Sequence, residues 1–274
     1  MATVTAAEVN ELRTRTGAGM MDCRKALIES DGDFEKAIDY LRKKGQKVAA
    51  KRSDRETKEG VVITLVSDDK KKGVIICLSC ETDFVARNDE FTGFAKSVAQ
   101  AALDHSIASI EALNNEKVNG EIVSNKINDL IGKIGEKITI SRYEKIDAGY
   151  TVSYTHGDYR IGVLVGFSKP LDEAAAKDVA MQIAAMNPIA VDESSVPADM
   201  IAREKEIAVE QVKGEGKPAE MAEKIAIGKV NKFFKEQTLL AQPFVKDNKL
   251  SVAAYLKSVD PDVKVTGFKR VALV

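Results

Sequence analysis

Cysteine and histidine side chains are the first to consider, because they bind metal ions and carry out nucleophilic chemistry. The chain holds three cysteines and two histidines. Cys77 and Cys80 have the C-x-x-C spacing of half a zinc site or of a redox pair. No second pair of cysteines or histidines follows at a suitable spacing, and a structural zinc ion normally needs four ligands. We therefore interpret both cysteines as small apolar residues near the end of a strand, with the metal or redox site as the alternative.

The sequence patterns that mark an active site or a phosphate-binding loop are absent. His105 lies at a helix end or in a loop with no signal of a paired carboxylate, and His156 falls on a predicted hairpin turn, away from the cysteine pair. Neither a G-x-x-x-x-G-K-[ST] loop nor a G-x-G-x-x-G loop is present. We predict a binding protein rather than an enzyme, with no cofactor, no metal and no direct nucleotide binding.

An internal repeat predicts the elements that position the functional side chains. Gly60 and Gly73 lie 13 residues apart, as do Gly149 and Gly162. In both copies an alternating stretch, a polar turn and an apolar stretch predict a β-hairpin. A helix and then a third strand follow each hairpin. The repeat therefore predicts two α+β subdomains, each with a small antiparallel sheet and packed helices.

One copy of the repeat contains a segment that the other copy lacks. Gly73 and Ala95 are 22 residues apart, whereas the matching Gly162 and Ala176 are 14 apart. The additional residues fall within Glu81–Phe91. Because the second copy does without them, folding alone does not require this segment.

Asp83 and Phe84 are the candidates for function within this segment. We interpret Phe84 as an aromatic side chain that inserts into a partner, and Asp83 as its polar guide. The alternatives are a core aromatic residue at the junction of strand and helix, and a carboxylate that caps the following helix.

The N-terminal residues predict three short helices. Thr5 and Glu8 have the spacing of a capping box, and Asp33 can cap the third helix. Met20 and Met21 are adjacent on the second helix, so they cannot both face one core. At least one of them is therefore expected to be exposed, where a flexible thioether suits a partner groove.

Charge and hydropathy restrict the kinds of partner. The net charge is −1, which gives no general attraction to nucleic acid or to membranes. Residues 42–58 are the exception, with eight Lys or Arg against two Asp or Glu; we interpret them as a solvated helix end and linker. No apolar run approaches the ~20 residues of a membrane span, and the N-terminus lacks a signal-peptide pattern. We expect a cytoplasmic protein with neither a membrane nor a nucleic acid as partner.

The second copy of the repeat carries an insertion of its own. Residues 198–213 and 219–237 read as two helical arms around a break at 214–218. Each arm would reach roughly 25 Å at 1.5 Å per residue. The insertion predicts an antiparallel helical hairpin, a short coiled coil that reaches out from the second subdomain.

Three stretches together resemble the elongation factor Ts family. They are ELRTRTGAGMMDCRKAL at residues 11–27, TDFVA at residues 82–86 and HGDYRIGVL at residues 156–164. Their order, the repeat and the helical hairpin also fit, so the resemblance covers essentially the whole chain.

The resemblance implies a fold and a division of the chain. The fold class is α+β: an N-terminal UBA-like three-helix domain, then two duplicated α+β subdomains with small antiparallel sheets and an inserted helical hairpin. The expected bounds are 1–54 for the UBA-like domain with its basic linker, 55–147 for the first core subdomain and 148–274 for the second, with the hairpin at about 198–238.

The resemblance also implies a function and its residues. Members of the family bind elongation factor Tu and promote GDP release during translation elongation by disturbing the magnesium and phosphate site of that GTPase. The residues implied to act beside the magnesium site are Thr82, Asp83, Phe84 and Val85. The other implied partner contacts are Arg13, Met20, Met21 and His156. Some members continue past the position of Val274 into a further helix, so we expect the contacts of such a helix to be absent here.

Two other classes of protein stay as alternatives. A UBA-like adaptor would use only the N-terminal helices and leaves the duplicated core unexplained. An RNA-binding protein would use the basic residues 42–58, and its RNA affinity would fall steeply with salt.

Overall fold

The computed structural model describes residues 4–214 and 219–273, and its fold class is α+β, as predicted. Within those ranges, no helix is both long enough and apolar enough to cross a lipid bilayer.

Three helices form the N-terminal unit: α1 (Ala6–Thr16), α2 (Met20–Glu29) and α3 (Phe34–Lys51). The predicted capping box is present, since Glu8 N donates to Thr5 Oγ1 at 3.3 Å and Thr5 N donates to Glu8 Oε2 at 2.7 Å. Asp33 caps α3 by accepting a hydrogen bond from Lys36 N at 3.1 Å. The core of this unit contains the fully buried side chains of Leu12, Cys23, Ala26, Leu27 and Ala37.

The first copy of the repeat forms a three-stranded antiparallel sheet with helices on one face. Its elements are β1 (Glu59–Val66), β2 (Lys72–Cys80), α4 (Asp83–Ala86), α5 (Asp89–Asp104), α6 (Ile110–Asn114), β3 (Lys117–Val118), β4 (Glu121–Ile122), α7 (Val123–Ile134) and β5 (Thr139–Asp147). The strand order is β1-β2-β5, and β3 and β4 form a separate two-stranded ribbon. Alternate residues of β1 and β2, such as Val61 and Ile76, pack against α5 and α7.

The second copy repeats this arrangement with β6 (Tyr150–His156), β7 (Ile161–Phe167), α8 (Glu173–Met186), α9 (Ala198–Gly214), α10 (Ala219–Gln237), β8 (Pro243–Phe244), β9 (Asp247–Ser251), α11 (Val252–Val259) and β10 (Val265–Ala272). A single 3₁₀ turn, Glu193–Ser195, precedes α9. The sheet order is β10-β7-β6, again antiparallel. Both three-stranded sheets therefore match the predicted duplication.

The two sheets pack face to face, so the helices lie on the outer sides of the pair. Val62 and Ile75 from the first sheet meet Leu164 and Val271 from the second in one buried cluster. The repeated glycines permit this packing. A Cβ on Gly73 would lie 2.8 Å from Leu164 Cδ2, and a Cβ on Gly162 would lie 2.6 Å from Val62 Cγ1.

The N-terminal unit packs on the first subdomain where α3 crosses α7. A Cβ on Gly45 of α3 would come 2.6 Å from the carbonyl oxygen of Asn128, so a glycine is needed for this approach. Because α3 continues to Lys51, most of the basic stretch is helical and the linker is shorter than predicted.

Helices α9 and α10 form the predicted hairpin. Ala208, Val212 and Ala226 are buried between them, whereas Ile207 is 38% exposed. Two alanines and one valine therefore supply part of the buried contact between the two helices. Residues 215–218 and the side chain of Met221 lie outside the described part of the chain.

Candidate functional site

Phe84 projects from the segment that the second copy lacks. The segment forms the single-turn helix α4 directly after β2, followed by the first residues of α5. The Phe84 side chain is 83% exposed, whereas Val85 and Ala86 turn inward against the first core. The core alternative for Phe84 is therefore wrong, because burial of a large aromatic ring is what defines a core residue.

Asp83 is the first residue of α4, and its carboxylate pairs with the guanidinium of Arg87 at 3.1 Å. Thr82 is the N-cap residue of α4, and Asn88 caps α5 by accepting hydrogen bonds from Glu90 N and Phe91 N. Asp83 therefore caps neither helix, which excludes the capping alternative.

Hydrogen bonds with Glu136 and Cys80 fix Thr82, the residue that precedes α4. Thr82 Oγ1 donates to Glu136 Oε1 at 2.6 Å, and the Cys80 thiol donates to the Thr82 carbonyl at 3.1 Å. Burial raises the pKa of the Cys80 thiol to about 12, so this sulfur stays protonated and unreactive.

The cysteine pair is not a metal or redox site. Cys77 faces the other sheet, and Cys80 faces the helices of the first subdomain, because residues three apart on a strand point to opposite sides. Both are free and buried, as the apolar interpretation predicts. In residues 4–214 and 219–273, no three or more His, Cys, Asp or Glu side chains could hold a metal ion together.

His156 is the last residue of β6, one position before the turn on which the sequence placed it. Its Nδ1 lies 2.9 Å from the Tyr154 hydroxyl. The turn that follows has three consecutive left-handed residues, Gly157, Asp158 and Tyr159, with φ of 60°, 49° and 67°. Left-handed backbone is costly for a tyrosine, so the surrounding structure must hold the turn in place.

This turn lies against the first subdomain. The Tyr159 carbonyl accepts a hydrogen bond from Val62 N at 2.7 Å, and the Lys96 ammonium lies 5.2 Å from the centre of the Tyr159 ring. A groove of about 640 Å³ separates the turn from α4. Its lining includes Asp83, Arg87 and Lys96 on one side and Asp158, Tyr159 and Arg160 on the other. The Asp83 segment and the turn after His156 therefore border one groove.

The remaining candidates lie on the N-terminal unit. Met20 and Met21 begin α2 and are 56% and 71% exposed, so both face solvent. Arg13 is exposed on α1. Gly17, with φ of 67°, ends α1 and lets the chain turn toward these methionines.

One residue of the site, Glu136, gave no signal in the sequence. It lies 55 positions after Glu81, yet its carboxylate accepts a hydrogen bond from Glu81 N, and the Glu81 carboxylate accepts one from Lys137 N. Glutamate is abundant in this chain, and only the pairing of β2 with β5 brings these two together.

The family model and the similar proteins found by comparison all carry the same family description. The sequence model of the family described as Elongation factor TS matches residues 81–273. Elongation factor Ts of Flavobacterium psychrophilum is 52% identical over 275 residues, covering all of both chains. Elongation factor Ts of Christiangramia forsetii is also 52% identical over the full length of both. Elongation factor Ts of Clostridium perfringens is 45% identical, covering 97% of this chain and 92% of that relative.

Proposed function

The chain belongs to the elongation factor Ts family of translation factors, and from that premise we propose that it is a guanine-nucleotide exchange factor. It binds elongation factor Tu and promotes GDP release by disturbing the magnesium and phosphate site of the GTPase. It acts in the cytoplasm, by binding alone, and takes up no guanine nucleotide itself.

The observation that carries this proposal is the exposure of Phe84. A phenylalanine that is 83% exposed on a short helix, directly after a strand with buried residues on both faces, is available to a partner. Exposed aromatic residues held on a rigid scaffold are typical anchors of protein interfaces. Asp83, paired with Arg87, borders the adjoining groove and supplies polar contacts beside the ring.

The physical requirement for exchange is differential binding. A GTPase holds its nucleotide largely through charge, with magnesium and the phosphates as the main contacts. A partner that promotes exchange binds the nucleotide-free form of the GTPase more tightly than the nucleotide-bound form. The ratio of those two affinities is the factor by which the partner weakens nucleotide binding. Each ~1.4 kcal/mol of that preference corresponds to about tenfold in affinity. No catalytic acid or base is needed.

The RNA-binding alternative has less support, because much of the basic stretch is engaged within the protein. Arg42 pairs with Glu121 and Asp129, and Lys44 pairs with Asp22. Arg52 and Arg55 both pair with Glu81. These pairs neutralise cations that an RNA backbone would otherwise contact.

The test is stopped-flow measurement of labelled GDP release from elongation factor Tu, with and without this protein. We expect strong acceleration by the wild type. Phe84→Ala should lose most of the acceleration and melt near the wild-type temperature, because the ring is exposed.

The matched control is Phe91→Ala in the same segment. Phe91 is fully buried, so its truncation should cost ~3–5 kcal/mol of folding free energy. An unchanged GDP release rate in the presence of wild-type protein would contradict the proposed function. Wild-type exchange by Phe84→Ala would contradict the role of that ring.

A further inference from the structure

Glu136 makes the contacts that fix the start of α4. Its carboxylate accepts three hydrogen bonds from the strand end before this helix. Glu81 N donates to Oε2 at 3.1 Å, Thr82 N donates to Oε2 at 3.0 Å, and Thr82 Oγ1 donates to Oε1 at 2.6 Å. Hydrogen bonds to a charged acceptor are roughly twice as strong as neutral ones. One side chain therefore fixes two successive backbone amides and one hydroxyl.

Glu81 extends this anchor to neighbouring elements. Its carboxylate accepts from Arg52 at 2.8 Å, from Arg55 at 3.0 Å and from Lys137 N at 2.7 Å. Lys137 Nζ in turn donates to the carbonyls of Ser53 and Arg55. Burial acts to raise the pKa of Glu81, but the Lys137 amide and the two guanidinium groups hold it below its ordinary value. Glu81 is therefore a carboxylate at neutral pH.

Helix α4 depends on contacts of this kind because it is only four residues long. A helix of one turn has no stability of its own in water. Its N-cap residue, Thr82, makes no side-chain capping bond, and its hydroxyl goes to Glu136 instead. Phe84 is almost free of packing contacts, so the direction of its ring follows from the position of the backbone beneath it.

We propose that Glu136 is a positioning residue for Phe84, an inference that rests on the proposed exchange function. By holding the amides of Glu81 and Thr82, Glu136 keeps α4 in the orientation in which the ring can enter the partner. A ring that is already oriented loses less conformational entropy on insertion. Without the anchor, the exposed binding surface is retained, but insertion becomes slower.

The first experiment measures the orientation of the ring without any partner. The chain has no tryptophan, so Phe84→Trp gives a single fluorescent probe at the site. We expect Glu136→Ala to lower the steady-state anisotropy of Trp fluorescence in this background. Glu136→Gln keeps an acceptor oxygen and should retain most of the anisotropy.

The matched control for this measurement is Glu144→Ala. Glu144 lies on β5 and pairs with Lys269 of β10 at 2.9 Å, so its loss removes an ion pair between the two sheets that does not involve α4. It should leave the anisotropy unchanged. If Glu136→Ala fails to fold by circular dichroism, Thr82→Val removes only the hydroxyl donor and should lower the anisotropy by a smaller amount. Unchanged anisotropy in every folded Glu136 and Thr82 variant would overturn the proposal.

The second experiment measures GDP release from elongation factor Tu as a function of exchange-factor concentration. For Glu136→Ala we expect the maximal rate to fall by about tenfold, the range expected when charge-assisted hydrogen bonds are lost. The half-saturating concentration should change little, and Glu136→Gln should restore much of the rate. A general loss of structure would instead raise the half-saturating concentration as well.

The outcomes separate the two proposals. If the wild type does not accelerate GDP release, the exchange function fails, and the positioning role fails with it. If the wild type accelerates release and Phe84→Ala does not, while Glu136→Ala matches the wild type, only the positioning role is wrong.

Discussion

Two phenylalanines seven positions apart illustrate how strongly local context decides the role of a residue. Phe84 is 83% exposed and Phe91 is fully buried. The sequence places both in the segment that the second copy lacks, and that comparison correctly favoured an exposed Phe84. It could not identify Glu136, because nothing in the spacing of residues 81 and 136 reports that β2 and β5 are neighbours.

Protonation of Asp129 should influence stability in mildly acidic solution. Burial, and then the negative charge of Glu121, raise the pKa of Asp129 to about 6, while Arg42 and Lys126 act in the opposite direction. The unfolded chain titrates this group near 3.9. Between about pH 4 and pH 6 the folded protein therefore binds more protons than the unfolded chain, so this group makes stability fall as pH rises.

Asp129→Asn should accordingly stabilise the protein at pH 8, and by much less at pH 4. The expected gain in free energy of unfolding at pH 8 is on the order of 1 kcal/mol, since the carboxyl is partly solvated and also contacts Arg42. Urea unfolding of both proteins at the two pH values measures it. A variant that is less stable than the wild type at pH 8 would show that the contact with Arg42 outweighs the burial of charge.

At the scale of elements, the N-terminus of α2 presents two exposed methionines, Met20 and Met21. Because both side chains are more than half exposed, replacing them together with alanine should leave the melting temperature almost unchanged. If they contact elongation factor Tu, the dissociation constant should rise about tenfold or more, which corresponds to ~1.4 kcal/mol. Calorimetric titration with the nucleotide-free GTPase measures this.

Two substitutions in the same helix serve as controls for the methionine pair. Leu27→Ala removes a fully buried side chain and should destabilise the unit by ~2–5 kcal/mol. Ile28→Ala removes an exposed apolar side chain at the other end of the helix and should change affinity less. Wild-type affinity of the methionine double variant would show that this end of α2 is not a contact.

The predictable elements are those specified by local chemistry. The capping box at Thr5, the cap at Asp33 and the paired hairpins follow from short-range patterns, and the structure contains all of them. The continuation of α3 to Lys51 was not predicted, because its last turns pack Val48 and Ala49 against the core of the first subdomain. The one-turn helix α4 was not predicted either, since its order comes from Glu136 and from the core beneath Val85.

At the scale of the whole molecule, the stacking of the two sheets determines where the candidate site forms. Stacking brings the Tyr159 carbonyl to Val62 N at 2.7 Å and Thr64 Oγ1 to Thr155 Oγ1 at 2.9 Å. The turn after His156 is thereby set beside β1, across the groove from Asp83. The repeat predicted two sheets, but their mutual packing depends on side-chain volumes across the interface.

The repeated glycines provide the test of this stacking. Gly162 has no left-handed φ, so alanine is compatible with its backbone, yet a Cβ there would lie 2.6 Å from Val62 Cγ1 and 2.7 Å from Thr64 Cγ2. Gly162→Ala should therefore force the sheets apart and cost ~1–3 kcal/mol of folding free energy. Gly267→Ala lies on the same sheet, but its added Cβ would meet no atom within 4 Å, so it should change stability by less than ~0.5 kcal/mol.

Adding Val62→Ala to Gly162→Ala should cost less than the sum of the two single changes, because it removes the closest clash. Urea unfolding of the four variants measures these differences, and equal stability of Gly162→Ala and Gly267→Ala would show that the sheets can separate without loss. Since separation would also move the turn away from Val62, Gly162→Ala should slow GDP release from elongation factor Tu even under conditions where the variant is fully folded.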